Sequence, residues 1–346
     1  MATVNTFNEN SERDTAGKKV LFSGIQPSGI ITIGNYVGAI KNWINLQLDY
    51  DSIFCIVNLH AITVKLEPAA LRLNTLELLA LYLACGIDPN LSTVFLQSHV
   101  SAHAELAWIL NTVAYVGELN RMTQYKDKAK KHADNINMGL MDYPVLMASD
   151  ILLYKTDLVP VGADQKQHLE LARDLALRFN TRYSDTFVVP NAYIPKVGAK
   201  VMSLQDAKIK MSKSDENENA YISMTDSPDV IRRKFKRAVT DSDSSIRFLK
   251  EKPEISNLLS IYSAFGGVTV KEAEHEFEDI GYGEFKSRLA DAVIAVLEPI
   301  QNKQKQLLSD KAYLNQVLKE GAQKANYRAQ KMLSKVYRKV GFVQKS

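Results

Sequence analysis

The chain has 346 residues, of which 46% are hydrophobic and 24% charged, with a formal net charge of +4. That is enough apolar content to bury one large core, or a larger and a smaller one. The mild positive charge permits an anionic partner without demanding one, and no apolar stretch reaches the roughly 18 residues of a membrane span, so no membrane partner is expected.

The opening segment, MATVNTFNENSERDTAGKK, is polar and lacks the apolar stretch of a secretory signal. Glu9, Glu12 and Asp14 are out of place in an acid-poor transit peptide. It reads as a flexible tail over 1–18, and the chain as cytoplasmic. KVLFSGI then predicts a strand ending in a turn, GNYVGAIKNWINLQ a helix, and DSIFCIVNL a buried strand. PAALRLNTLELLALYLACG predicts a helix closed by Gly86, with Pro89 after it. TVFLQS reads as a strand, ELAWILNTVAYV as a helix, LVPVG as a short strand and DQKQHLELARDLALRFN as a helix. The two cysteines, Cys55 and Cys85, sit in apolar runs without Cys-x-x-Cys spacing. They read as buried, reduced thiols rather than metal or redox ligands, and no protein metal site is expected.

This alternation predicts an α/β fold, a doubly wound parallel sheet of Rossmann-like type, over 19–215. From about Ser227 the pattern turns helical, through IRRKFKRAV, LLSIYSAF, EFKSRLADAVIAVLEPIQNKQKQLL and YLNQVLKEGAQKANYRAQKMLSKVYRKV. A smaller all-helical domain is predicted over 216–346, the boundary falling in SKSDENENA, with the last helix a candidate to pack back on the first domain. That last stretch carries Lys319, Lys324, Arg328, Lys331, Lys335, Arg338, Lys339 and Lys345 against Glu320 alone. It is either a solvated helix face or a contact for nucleic-acid phosphates.

Doubly wound sheets bind ligands at the carboxyl ends of their strands, where the loop after KVLFSGI lies. Gly24 to Gly29 matches the front half of a phosphate-binding P-loop, but Ile30 and Ile31 stand where its Lys and Ser/Thr belong. The dinucleotide pattern G-x-G-x-x-G is absent too. Gly29, Gly34 and Gly38 allow close backbone approach. Gly34 and Asn35 open a helix whose unpaired N–H groups favour an anion, and Gln26, Ser28, Thr32 and Asn35 can hydrogen-bond. Alone, such a turn is more often structural. The missing cations come far downstream, where Lys208, Lys210 and Lys213 surround Ser212 and Ser214 in KIKMSKSDE. Alone, that loop reads as solvated; the two loops in one chain, in this order, are far more specific. A third feature is Asp150 within DYPVLMASDILLY, an acid costly in so apolar a run unless paired. Ser149-Asp150 can instead be read as a helix cap.

Together, the turn ending Thr32-Ile-Gly-Asn35 and the later Lys210-Met-Ser-Lys-Ser214 look like the two signatures of class I aminoacyl-tRNA synthetases. With CIVNLHAIT, GELNRMTQYKDK, DYPVLMASDILLY and VPVGADQKQHLEL, the chain from about Val20 onward resembles the bacterial-type tryptophanyl-tRNA synthetase family. The resemblance implies ATP-dependent activation of L-tryptophan and transfer to tRNA(Trp), with Mg²⁺, by a homodimer whose helical domain reads the anticodon. It implies Lys210, Lys213, Lys128 and Thr32 as catalytic groups. ATP would meet Gln26, Pro27, Ser28, Gly34, Asn35, Gly162, Ala163, Asp164, Val201, Met202, Lys210, Met211, Ser212, Lys213 and Ser214. Val201 read alone is ordinary core. Tryptophan would meet Asp150, which accepts the indole N–H, with Phe22, Met147 and Ile151 as apolar walls, Tyr143 and Gln165 at the amino end, and His60 nearby. His60 read alone is a packed or capping histidine.

The chain departs from the family pattern in places. Thr32 and Asn35 replace the two histidines of the class-wide motif, as is usual for tryptophan enzymes. Asn58 stands where Asp is common, Ala163 where an acid is usual, and Glu216 where Pro is common. The rival readings are the tyrosine-specific sister enzyme and a non-charging paralogue that binds tryptophan.

Overall fold

The computed structural model describes residues 17–126, 136–162, 166–194 and 200–344. Five parallel strands form one sheet in the order β3-β2-β1-β4-β5. Strand β1 (Val20–Ile25) lies at the centre. After it come a loop, a helical turn at Ile33–Asn35, a π-helical turn at Tyr36–Ile40 and helix α1 (Lys41–Asp49). Strand β2 (Asp51–Ile56) pairs with β1 along its whole length, then gives way to a short helix at Asn58–Ala61. DSIFCIVNL is therefore strand only in its first part, because Asn58 and Leu59 turn into that helix. Helix α2 (Pro68–Cys85) starts on Pro68 and ends, as the sequence predicts, on Gly86 with φ +106°.

Strand β3 (Thr93–Leu96) adds to β2 and is followed by a 3₁₀ turn at Gln97–His99. Helix α3 (Ala102–Asn111) is shorter than ELAWILNTVAYV suggests; it stops at Asn111, and Val116–Leu119 is a separate short helix. Helix α4 (Met138–Leu152) carries Pro144 in its interior. Strand β4 (Leu158–Pro160) returns to the other side of β1, and helix α5 (Lys166–Tyr183) leads to β5 (Asn191–Tyr193), a strand that the sequence pattern does not announce. The chain thus winds outward from β1 through β2 to β3, then crosses back to β4. The crevice between the carboxyl ends of β1 and β4 is the topological switch point where such sheets bind ligands.

Side chains alternate across the sheet. Leu21, Phe54, Ile56, Val94 and Leu96 bury one face, while Phe22, Ile53, Cys55 and Phe95 bury the other. The first face continues without a break into the helices after residue 216: α6 (Pro228–Lys236), α7 (Pro253–Gly266), α8 (Val270–Glu276) and α9 (Tyr282–Ser309). The Tyr36 ring meets Phe265 of α7 at 5.7 Å between centroids. Among the described residues, no helix is long and apolar enough to cross a membrane.

The last helix, α10 (Lys311–Val340), wraps the edge of the sheet at β3. Leu314, Val317 and Leu318 join one core, and Ala325, Ala329, Met332, Leu333 and Val336 join the other. Covering an edge strand removes a surface prone to pair with other chains. The crossing needs Gly321, where an added Cβ would lie 1.7 Å from the Val94 carbonyl oxygen. Several cations of this basic stretch pair within the fold instead of standing on a wholly solvated face. Arg328 pairs with Asp51 at 2.9 Å, and Lys335 donates to the carbonyls of Asp185 and Thr186 at 3.2 and 3.3 Å. Tyr337 donates to Glu105 at 2.6 Å. Gly321→Val should therefore lower unfolding stability by about 3 kcal/mol or more, as expected of a backbone clash in a core. Lys324→Ala, on the exposed face, should stay within about 0.5 kcal/mol. Denaturant titration of the two variants checks the contrast.

Candidate active site

The loop leaving β1 turns at Gly29, whose φ of +110° lies in the region glycine tolerates. Thr32 then caps the following helix reciprocally with Asn35. Thr32 N donates to Asn35 Oδ1 at 3.0 Å, and Asn35 N donates to Thr32 Oγ1 at 3.4 Å. The π-helical turn comes next, a feature often found at functional sites.

The lysine loop is brought to this turn by the segment before it. Met211 N donates to Val201 O at 3.1 Å and Ser203 N to Ile209 O at 2.8 Å, so KMSKS begins as the return limb of a short antiparallel hairpin. Asn257 of α7 grips that hairpin at Met202, accepting from its N–H at 2.8 Å and donating to its carbonyl at 3.0 Å. The next limb closes on the glycine loop. Ile33 N donates to Ile222 O at 3.0 Å and Met224 N to Ile31 O at 2.8 Å. Lys213 consequently sits on the glycine loop, donating to Ser28 O and, at 3.0 Å, to Ser28 Oγ. Burial pushes its ammonium pKa down. Val201 and Met211 are buried on Gly34, where an added Cβ would lie 3.6 Å from each. Lys210, Ser212 and Ser214 are exposed beside them, as is Asn35, while Gln26, Ser28, Gly34 and Met202 are half-buried and Pro27 is buried.

The second cluster centres on Asp150, inside α4 rather than at a cap and only 1% exposed. Its Oδ1 accepts from Gln97 Nε2 at 2.7 Å and His103 Nδ1 at 2.6 Å; its Oδ2 accepts from His60 Nε2 at 2.7 Å. Burial works to raise the Asp150 pKa, but the His60 charge and the hydrogen bonds from both histidines outweigh it and hold the carboxyl at about 2. The group is therefore an ionised acceptor in an apolar surround. The Phe22 ring stacks on Tyr154 at 5.7 Å, and Tyr143 meets His60 edge-on at 6.2 Å. The Tyr143 hydroxyl is within 2.9 Å of His168 Nε2. Ile151 is buried in the core, Met147 is half-buried and Gly162 is exposed at the end of β4. Asn58 ties the loops after β2 and β3, donating to Ser98 Oγ at 2.8 Å and accepting from Ser98 N at 3.0 Å. Lys128, Ala163, Asp164 and Gln165 lie outside the described residues.

The structure brings the expected Asp150 and His60 together, and adds Gln97, His103 and Tyr154, which the sequence does not single out. The available signal for Gln97 was its place directly after TVFL, at the carboxyl end of a strand. Among the described residues, no group of three or more His, Cys, Asp or Glu could hold a metal ion.

The model of the family "tRNA synthetases class I (W and Y)" matches residues 15–298. The chain is 58% identical over 327 residues to the tryptophan–tRNA ligase of Clostridium acetobutylicum, covering 94% of this chain and 98% of that protein. It is 56% identical over 326 residues to the tryptophan–tRNA ligase of Clostridium perfringens, with the same two coverages. Among solved structures, tryptophanyl-tRNA synthetase from Mycoplasma pneumoniae superposes with a TM-score of 0.88 at 35% identity, covering 94% of this chain and 98% of that one. The Campylobacter jejuni enzyme, complexed with ADP and tryptophan, superposes with a TM-score of 0.80 at 37% identity, covering 94% and 100%. Glycine turn, lysine loop and buried aspartate all fall within the matched span, and the chain belongs to the class I tRNA synthetases of the tryptophan and tyrosine kind.

Proposed function

We propose that this chain is a tryptophan–tRNA ligase, which activates L-tryptophan with ATP and transfers it to tRNA(Trp). The observation that carries this reading is Lys213 of the second signature seated on Ser28 of the first. Forming an aminoacyl adenylate needs no enzyme nucleophile. The carboxylate of tryptophan attacks the α-phosphorus, the bond to pyrophosphate breaks, and tryptophanyl-AMP forms. The protein's part is alignment and positive charge on the departing pyrophosphate. Lys213 and Lys210 suit that part, and Lys128 is assigned to it by family resemblance. The glycine turn offers backbone and amide contacts, and family resemblance assigns Val201 and Met202 to the adenine and Asp164 to the ribose. Mg²⁺ would arrive with the phosphates of ATP, as this ion commonly does. In the second step, the 2′-hydroxyl of the terminal adenosine of tRNA attacks the carbonyl and AMP leaves.

Asp150 supports tryptophan as the amino acid. Indole N–H is a pure donor, and Asp150 is a buried pure acceptor with lone-pair capacity beyond its three donors among the described residues. Sites that bind through such a bond reject ligands lacking it by roughly 10⁴–10⁵. Phe22, Met147, Ile151, Tyr143, His60 and Gln165 would complete the pocket. The helices from α6 onward are assigned the anticodon.

A homodimer fits an exposed apolar surface near α3 and α4. Trp108 is 74% exposed, and Ile62, Tyr115, Val116 and Met138 are exposed with it. Asn111–Asp142 at 3.0 Å and Asn137–Thr63 at 3.0 Å join the elements that carry them. Exposed large apolar side chains on neighbouring elements are what an interface between two copies would cover.

Amino-acid-dependent ATP–pyrophosphate exchange tests the activity. Tryptophan alone should support it; exchange with tyrosine would move the assignment to the sister enzyme, and tryptophan binding without exchange to a non-charging paralogue. Lys213→Ala should lower the exchange rate by about 10²–10³, the scale of losing one preorganised charge donor, with tryptophan affinity unchanged. Trp108→Glu should give a monomer by light scattering where the wild type gives a dimer.

A further inference from the structure

We propose that Tyr154 is a positioning residue of the amino-acid site, acting through His103 on Asp150. The inference rests on the reading that Asp150 accepts the substrate N–H. The Tyr154 hydroxyl lies 2.8 Å from His103 Nε2, and His103 Nδ1 lies 2.6 Å from Asp150 Oδ1. All three side chains are almost wholly buried. Burial pushes the Tyr154 phenol well above its usual pKa, so it keeps its proton. That proton has no other acceptor among the described residues, and it therefore goes to His103 Nε2. An imidazole that accepts at Nε2 carries its own proton on Nδ1. The Tyr154 hydroxyl thereby selects the tautomer that donates to Asp150. The opposite tautomer would set a nitrogen lone pair against the carboxylate.

The consequence falls on the other oxygen of Asp150. Gln97 also donates to Oδ1, and its amide is fixed the right way round because its Oε1 accepts from Leu59 N at 3.0 Å. Two donors fill the lone pairs of Oδ1. Among the described residues, Oδ2 accepts from His60 alone and keeps one lone pair, so the carboxylate presents a single acceptor in a fixed direction. A ligand N–H along that direction is bound; a ring without one leaves the lone pair unmet. Specificity then depends on a hydroxyl that touches no substrate.

Tyr154→Phe deletes the hydroxyl and keeps the ring, which Phe22 stacks upon at 5.7 Å and Phe95 meets edge-on at 5.9 Å. The readout is the ratio of kcat/KM in pyrophosphate exchange for tryptophan over benzothienylalanine, in which sulfur replaces the indole N–H. Wild type should favour tryptophan strongly. Y154F should reduce that ratio at least tenfold, through tryptophan, with the analogue little changed. An unchanged ratio in Y154F, or an equal slowing of both substrates, overturns the proposal and leaves Tyr154 a packing residue. No discrimination by the wild type overturns the Asp150 reading itself. Should Y154F fail to fold, His103→Asn and His103→Leu test the same link. The asparagine amide donates from the Nδ1 position without help from Tyr154 and should retain most of the ratio; leucine should abolish it. A wild-type ratio in H103L would equally overturn the proposal.

Discussion

A single ionised carboxylate in the apolar interior constrains this fold more than any other group. Holding Asp150 charged at 1% exposure is unfavourable unless its donors are in place. Those donors come from separate elements: His60 from the helical turn after β2, Gln97 from the turn after β3, and His103 from α3. Asp150 itself is on α4, and Phe22 of β1 stacks on Tyr154 just beyond that helix. The turns after two strands and two helices are thus registered against one anion. Removing any one donor leaves buried charge under-compensated, which generally costs more than the bond contributed.

The side of the crevice proposed for the phosphates is organised on the opposite plan. No basic residue lies in the glycine turn itself, and cations are delivered by a hairpin that α7 grips through Asn257. Lys213 rests on a carbonyl and a hydroxyl of Ser28, neutral partners that a polyphosphate could outcompete, since charge-assisted hydrogen bonds are roughly twice as strong as neutral ones. The helices after residue 216 are coupled to the site physically, because they share a core with one sheet face and hold the lysine loop in place. The half of the crevice around Asp150 is buried, and the lysine half is mounted on a hairpin.

Much of this was legible in the sequence because it depends on local signals. The strand of KVLFSGI and the glycine stop at Gly86 each follow from residues close in the chain, and GIQPSG and KMSKS are each a short local motif, although 185 positions separate Ser28 from Lys213. Other features depend on what meets what in space. β5 has three residues, two of them exposed, and gives no apolar run to detect. Asp150 stands out as an acid among apolar residues, yet its partners Gln97 and His103 sit 53 and 47 positions away and look like ordinary polar residues. Tyr154 reads as the end of the apolar run DILLY, and only the fold turns its hydroxyl toward His103. Charge counts in the last helix leave its role open, because Arg328 and Lys335 find their partners in distant parts of the first domain.

The most direct test of the account is an NMR spectrum of tryptophan labelled with ¹⁵N at the indole nitrogen, bound to the protein. A charge-assisted bond to an ionised carboxylate should move the indole proton well downfield of its position in free tryptophan and protect it from solvent exchange. An indole signal that stays at its free shift, in a protein saturated with tryptophan, would contradict the claim that Asp150 reads the substrate.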